Sequence, residues 1–210
     1  MRSLKNIIVC AVFLLVISLS PYVSFAAEQN AIFAGGCFWC LEHDLESIPG
    51  VISVVSGYSG GELANPTYEN HNGHQEVVLV QFDSSQVDYQ TLLRIYWRNI
   101  DPLDGGGQFC DRGKPYKPVI FAEGQEQNVA AKSSKQKASI ELGITLNLIN
   151  VEIKEAKKFW PAEDYHQDFA NLNKLKYKFY RYSCGRDSRL DQLWGDKART
   201  GRPWTESSNP

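Results

Sequence analysis

Asn30-Ala31-Ile32-Phe33-Ala34-Gly35-Gly36-Cys37-Phe38-Trp39-Cys40-Leu41-Glu42 changes character at its two glycines. Residues 30–34 are short, apolar and bounded by Gly35-Gly36, which reads as a buried strand and its exit. Residues 38–47 read as a helix, stopped by Pro49-Gly50. The next apolar runs extend this strand-to-helix step into a pattern. Residues 51–58 are rich in β-branched side chains and predict a strand. Residues 76–82 are apolar at nearly every position, as expected of a central strand. Apolar residues at 89, 92, 93 and 96 predict an amphipathic helix over 89–99. Residues 118–122 read as a fourth strand, 125–142 as a helix ended by Gly143, and 146–153 as an edge strand. Residues 101–117, with Gly105-Gly106-Gly107, read as a long loop of the kind that often carries function. The order strand, helix, strand, strand, helix, strand is that of a split βαβ unit. The expected fold is therefore α+β: a two-layer α/β sandwich with a ferredoxin-like core, a mixed sheet and long loops.

Upstream, Arg2 and Lys5 precede an uncharged apolar run over 7–19. Pro21 breaks the run, and Ser24-Phe25-Ala26 places small residues before a cut at Ala27. This is the layout of a secretory signal peptide. The run is shorter than the ~20 apolar residues of a membrane span. The expected organisation is a signal peptide over 1–26, one domain over 27–197 and a mobile polar tail over 198–210. The mature protein is expected to be periplasmic or secreted, monomeric and free of the membrane.

With 210 residues, 43% of them hydrophobic, the chain is long enough for one domain with a full core. Loss of Arg2 and Lys5 moves the formal net charge from −2 to −4. That speaks against a nucleic-acid partner, which needs a basic footprint. Lys174, Lys176, Lys178, Arg181, Arg186 and Arg189 do cluster, and read as a solvated helix face and tail.

Cys10 leaves with the signal, so Cys37, Cys40, Cys110 and Cys184 remain. Export permits disulfides, yet the Cys-x-x-Cys pair points first to thiol chemistry. Cys37 stands at a predicted helix start, where free N–H groups and the helix dipole favour a thiolate. Cys40 follows by three positions, ~5–6 Å away on a helix and within disulfide range. A metal site would want a second close pair, and Cys110 and Cys184 stand alone, so no metal is expected. Phe38 and Trp39 offer walls for a small apolar group, or simply core packing.

At this point the residues resemble a known family. Gly36-Cys37-Phe38-Trp39-Cys40-Leu41-Glu42 looks like the active-site motif of the A-type peptide-methionine sulfoxide reductases, in its Gly-Cys-Phe-Trp-Cys form. Val51-Ile52-Ser53-Val54-Val55-Ser56-Gly57-Tyr58-Ser59-Gly60-Gly61 resembles a second block. Asn65-Pro66-Thr67-Tyr68-Glu69 and Gly73-His74-Gln75-Glu76-Val77-Val78 resemble a third. Gln108-Phe109-Cys110-Asp111-Arg112-Gly113-Lys114-Pro115-Tyr116 and Phe159-Trp160-Pro161-Ala162-Glu163-Asp164-Tyr165-His166-Gln167 resemble the last two. Five blocks in order, over about 31–168, make the resemblance specific.

The resemblance implies a reductase for the S epimer of methionine sulfoxide, free or in oxidised proteins. It implies Cys37 as nucleophile, Phe38 and Trp39 as the methyl pocket, and Glu76 as the acid that protonates the sulfoxide oxygen. Tyr68 and Tyr116 would bind that oxygen, and Asp111 would support the site. Cys37 would become a sulfenic acid, Cys40 would resolve it, and a thioredoxin-like dithiol would reduce the disulfide. No prosthetic cofactor is implied. The chemistry is coherent, because a sulfoxide sulfur is a poor electrophile until its oxygen is protonated or strongly hydrogen-bonded. Partial burial would raise Glu76 enough to keep its proton.

Departures from the family pattern leave choices open. Many members have glycine at the position of Cys40 and resolve with a C-terminal cysteine. Cys184, beside Gly185, is either a relay to a Cys40–Cys184 bridge or an idle or structural residue. Cys110 reads as non-catalytic, and Lys114-Pro115 leaves the loop's course open. Rival readings are a thioredoxin-like thiol–disulfide oxidoreductase, a peptide-binding module and a Cys–His hydrolase. The last would need a histidine beside Cys37.

Overall fold

A computed structural model describes residues 27–204. The expected signal peptide, and residues 205–210 of the expected tail, lie outside the described residues. The chain runs β1 (Glu28–Ala34), α1 (Phe38–Glu46), β2 (Val51–Ser59), β3 (Gln75–Asp83) and α2 (Tyr89–Trp97). A small hairpin of β4 (Gly107–Gln108) and β5 (Asp111–Arg112) follows, then β6 (Val119–Ala122) and α3 (Gly124–Glu141). Next come β7 (Glu152–Glu155), β8 (Trp160–Pro161), α4 (Phe169–Leu172), α5 (Lys174–Ser183) and α6 (Arg186–Trp194).

Six strands form one sheet in the order β7-β6-β1-β3-β2-β8. The inner four are antiparallel neighbours and make the expected ferredoxin-like core. β7 adds in parallel to β6, which makes the sheet mixed, and β8 caps the far edge on β2. The expected α+β class is the observed one.

Period-two alternation explains why these strands read as continuous apolar runs. Ala31 and Phe33 of β1 join Val78, Val80 and Phe82 in the large core under the helices. Ile32 and Ala34 point the other way and join Val77, Val119 and Phe121, with Phe159 and Ala156 against them. With both faces covered, neither needs polar alternates. Asp88 caps α2 by accepting the Thr91 N–H at 2.7 Å. The buried face of α2 then reaches the sheet, where Tyr96 donates its hydroxyl to the Ala34 carbonyl at 2.9 Å.

Three expectations need correction. The edge strand expected over 146–153 begins only at Glu152, after a single 3-10 turn at Leu146–Leu148. The basic cluster is not all solvated. Arg186 is 1% exposed and donates to the Asn99 carbonyl at 2.6 Å. Arg181 pairs with Asp44 of α1 at 2.8 Å and with Asp187. Asn99 and Asp44 come from distant segments, so local pattern does not reveal them. Residues 198–204, the described part of the expected tail, pack against the domain. Ala198 is buried, and Arg98 donates to the carbonyls of Thr200 and Arg202 at 3.2 and 2.6 Å. The Trp204 ring lies 5.1 Å from the Arg98 guanidinium.

Candidate active site

The β1–α1 junction builds the site. Gly36 has φ +83°, and a Cβ there would lie 2.7 Å from the Gln108 Cβ. Glycine therefore satisfies both the backbone conformation and the close approach of the 101–117 loop. Gln108 holds that loop, accepting from the Asp101 N–H and donating to the Asp101 and Gly107 carbonyls, each at 2.8 Å. Cys37 is the N-cap residue of α1, and Cys40 lies in the first turn, its N–H bonded to the Cys37 carbonyl at 3.1 Å. Both thiols are free and buried.

β3 brings Glu76 to the same place. It stands opposite Tyr58 in the sheet and is 2% exposed. Its Oε2 accepts the Phe38 N–H at 3.1 Å. Burial pushes its carboxyl up to about 8, and nearby Asp111 adds to that. Hydrogen bonds from Phe38 and Tyr116 oppose the rise without cancelling it. A carboxyl raised in this way favours its protonated form at neutral pH.

A cleft of about 80 Å³ is lined by Cys37, Phe38, Trp39, Tyr68, Glu76, Asp111, Tyr116 and Tyr180. Of the expected residues, all but Cys40 and Cys184 line it, and Cys40 lies one turn behind Cys37. Larger clefts exist, such as the open one of about 720 Å³ along α5 and α6, but that one contains no thiol.

The aromatic walls are held from outside. Trp39 stacks on Phe169 with ring centroids 3.7 Å apart. Its indole N–H donates to His166 Nδ1 at 3.1 Å. Burial lowers the His166 pKa and so favours the neutral ring that can accept this bond. Phe38 packs between Tyr58 and His166. His166 thus supports the walls. The Tyr68 N–H donates to Glu163 at 2.9 Å, and the Tyr58 hydroxyl donates to the same carboxylate at 3.1 Å. Burial raises both Tyr68 and Tyr116, so both keep their protons as donors.

The thiols differ from expectation. Burial pushes Cys37 well up, and Cys40 and the Glu76 charge add to it. Cys40 is lowered, first by its hydrogen bond with Cys37 and then by Arg186 and Arg181. The helix start is outweighed by burial, and Cys37 rests as a thiol.

Cys184 is not bonded to Cys40. It is disulfide-bonded to Cys110, with Cα atoms 4.9 Å apart. The structure thus pairs Cys184 with Cys110 and leaves Cys37 and Cys40 as the free thiols. The reason is α5, whose Tyr180 bonds Asp111 at 2.6 Å and so brings Cys184 to the neighbouring Cys110. Cys110, Asp111 and Cys184 are the one cluster of three possible metal ligands among the described residues, and two of the three sulfur and oxygen donors are spent on the bridge. Tyr180 itself escaped the sequence reading. Its spacing of four from Cys184 was the only signal, and it means something only once Cys184 is known to sit at the loop.

Comparison with known proteins agrees with this geometry. The family model described as peptide methionine sulfoxide reductase matches residues 29–198. Peptide methionine sulfoxide reductase MsrA 2 of Rhizobium meliloti (strain 1021) is 51% identical over 178 residues, covering 84% of this chain and 88% of its own. MsrA 2 of Caulobacter vibrioides is 46% identical, covering 84% and 90%. Among solved structures, methionine sulfoxide reductase A of Corynebacterium diphtheriae superposes with a TM-score of 0.64 at 28% identity, covering 70% of this chain and 76% of that one. Mxr1 of Saccharomyces cerevisiae, solved reduced, gives a TM-score of 0.65 at 24% identity over 70% and 86%. The same yeast protein solved in complex with Trx2 gives 0.50 at 20% identity over 73% and 91%. Buried acid, free thiol pair and these matches lead to one conclusion: the chain belongs to the A-type peptide methionine sulfoxide reductase family and is a peptide methionine sulfoxide reductase.

Proposed function

We propose that Cys37 attacks the sulfur of methionine S-sulfoxide, free or in oxidised proteins, while Glu76 protonates the departing oxygen. The observation that carries this reading is the buried Glu76 carboxyl, held by the Phe38 N–H one residue from Cys37 and raised by burial toward its protonated form. Phe38 and Trp39 wall the substrate methyl group. Tyr68 and Tyr116 donate to the sulfoxide oxygen, and Asp111 orders the loop face of the cleft.

Attack forms a sulfur–sulfur bond; the protonated oxygen then moves to the Cys37 sulfur as the substrate S–O and the S–S bonds break, leaving a sulfenic acid on Cys37 and releasing methionine. Cys40 then displaces water to give a Cys37–Cys40 disulfide. Its lowered pKa makes it the readier thiolate of the pair. A thioredoxin-like dithiol reduces the bridge, and the cycle needs no prosthetic group. Yeast Mxr1, which shares the fold, has been solved with Trx2. Cys184 enters such a cycle only after its bridge to Cys110 is reduced.

The protein acts as a monomer in the periplasm or outside the cell, after loss of residues 1–26. No described helix is long and apolar enough to cross a membrane. The thioredoxin-like oxidoreductase alternative is not favoured, because a disulfide-exchange enzyme has no use for a neutral acid and two phenols at its thiol. Cys37→Ser tests the assignment: sulfoxide reduction is expected to vanish, and a residual rate above a few per cent would sink it.

A further inference from the structure

Tyr180 lies on α5, four residues before Cys184. Its hydroxyl faces the cleft that holds Cys37, Glu76 and Asp111. It donates to Asp111 Oδ2 at 2.6 Å and shares the cleft with the Cys37 sulfur, whose pKa it holds down against burial. Asp111 lines the same cleft as the Cys37 thiol. Thiol, phenol and carboxylate thus share one cleft, with the phenol bonded to the carboxylate.

This arrangement answers a need that Glu76 cannot meet. Glu76 holds the proton destined for the sulfoxide oxygen, so it is no base for the thiol. Cys37 rests protonated and buried, and water has little access to it.

We propose that Tyr180 and Asp111 form the proton relay that ionises Cys37. The Cys37 S–H bond breaks and its proton passes to the Tyr180 oxygen. The Tyr180 proton passes at the same time to Asp111 Oδ2. The sulfur electron pair then bonds the sulfoxide sulfur, whose oxygen takes the Glu76 proton. The hydroxyl then bonds to the Cys37 sulfur as the substrate S–O bond and the new S–S bond break; Cys37 ends as S–OH, oxidised by two electrons, and methionine leaves, reduced by two. Asp111 returns its proton to solvent and Glu76 regains one there, so the cycle closes without an outside oxidant.

Two further observations fit. Burial raises Asp111, which makes it a stronger base than a solvated aspartate. The Tyr180 ring packs edge-on against Trp39, and the Cys110–Cys184 bridge ties the end of α5 beside Asp111. Residues four apart share a helix face, so the bridge and the Tyr180–Asp111 bond act as adjacent ties.

The relay rests on Cys37 and Glu76 acting as proposed above. It is tested by single-turnover reduction of methionine sulfoxide by the purified chain, comparing wild type, Tyr180→Phe, Asp111→Asn and the double variant. Tyr180→Phe keeps the ring against Trp39, circular dichroism checks the fold, and Asp111→Asn breaks the same relay independently. Each single variant is expected to slow methionine formation at least ~10-fold, at the low end for general acid–base effects. The double variant is expected to be no more than about twofold slower than the slower single, because both break one chain of transfers. Rates in mixtures of light and heavy water should bow for wild type, where two protons move, and run straight for Tyr180→Phe. A Tyr180→Phe rate within twofold of wild type, or losses that multiply in the double variant, overturns the relay while leaving Cys37 and Glu76 in place. No methionine from wild type overturns the Cys37 assignment and the relay with it.

Discussion

Glu76 Oε2 accepts the Phe38 N–H at 3.1 Å, so the buried acid of β3 is fastened to the first turn of the helix that starts with the thiol. A free amide at a helix start would ordinarily help a thiolate. Here one such amide orients a proton donor. The same contact sets how close the acid and the nucleophile can stand.

Glu76→Gln should therefore slow the chemical step by about 10²–10⁴-fold, the usual worth of a positioned acid. Glu76 is pushed up to about 8, so its protonated form is lost as pH rises through that value. The wild-type single-turnover rate should fall above about pH 8, and the variant should lack that limb. An unchanged rate would mean that Tyr68 or Tyr116 supplies the proton.

Cys40→Ser should form one equivalent of methionine and then stall, with the Cys37 sulfenic acid open to trapping by dimedone. Mass spectrometry of the trapped chain reads the outcome. Full thioredoxin-linked cycling in this variant would show that Cys184 or Cys110 reaches Cys37 directly.

Cys184→Ser opens a bridge that spans 74 positions of sequence. A disulfide of that span typically contributes about 2–4 kcal/mol by restricting the unfolded chain. Urea unfolding should register a loss of that order, and cycling through Cys37 and Cys40 should continue. A stable variant that no longer cycles would place Cys184 in the catalytic relay after all.

Glu42 is 2% exposed, accepts the Asp168 N–H at 3.2 Å and is pushed up to about 7, mainly by burial. Its folded value lies above the ordinary 4.5, so its stabilising contribution is full at low pH and is lost as pH rises through about 7. Glu42→Gln should gain about 2 kcal/mol at pH 9 relative to its effect at pH 5. Equal effects at both pH values, measured by urea unfolding, would contradict a neutral buried carboxyl.

Much of the core was legible because its strands are buried on both faces and its first three helices carry apolar stripes or clear stops. The C-terminal helices were not. In Lys174–Ser183 only Tyr177 is buried, and the helix is held by ion pairs such as Arg181 with Asp44. Ion-pair partners far apart in the chain leave no periodic mark. Arg98, wholly buried and paired with Glu141 at 2.8 Å, likewise gathers residues 199–204 that looked like a loose tail. In the site, Cys37, Phe38, Trp39, Tyr68, Glu76, Asp111 and Tyr116 were legible from their blocks. The Cys110–Cys184 pairing was not, since cysteine spacing does not fix connectivity. Nor was the resting thiol of Cys37, because the depth of its burial depends on the packed loop over Gly36.

The central claim is tested most directly by turnover of separated S and R epimers of methionine sulfoxide, with dithiothreitol as reductant. Reduction of the S epimer alone is the expected result. Reduction of neither epimer, or of the R epimer alone, would contradict the account and return disulfide exchange at Cys37 and Cys40 to first place.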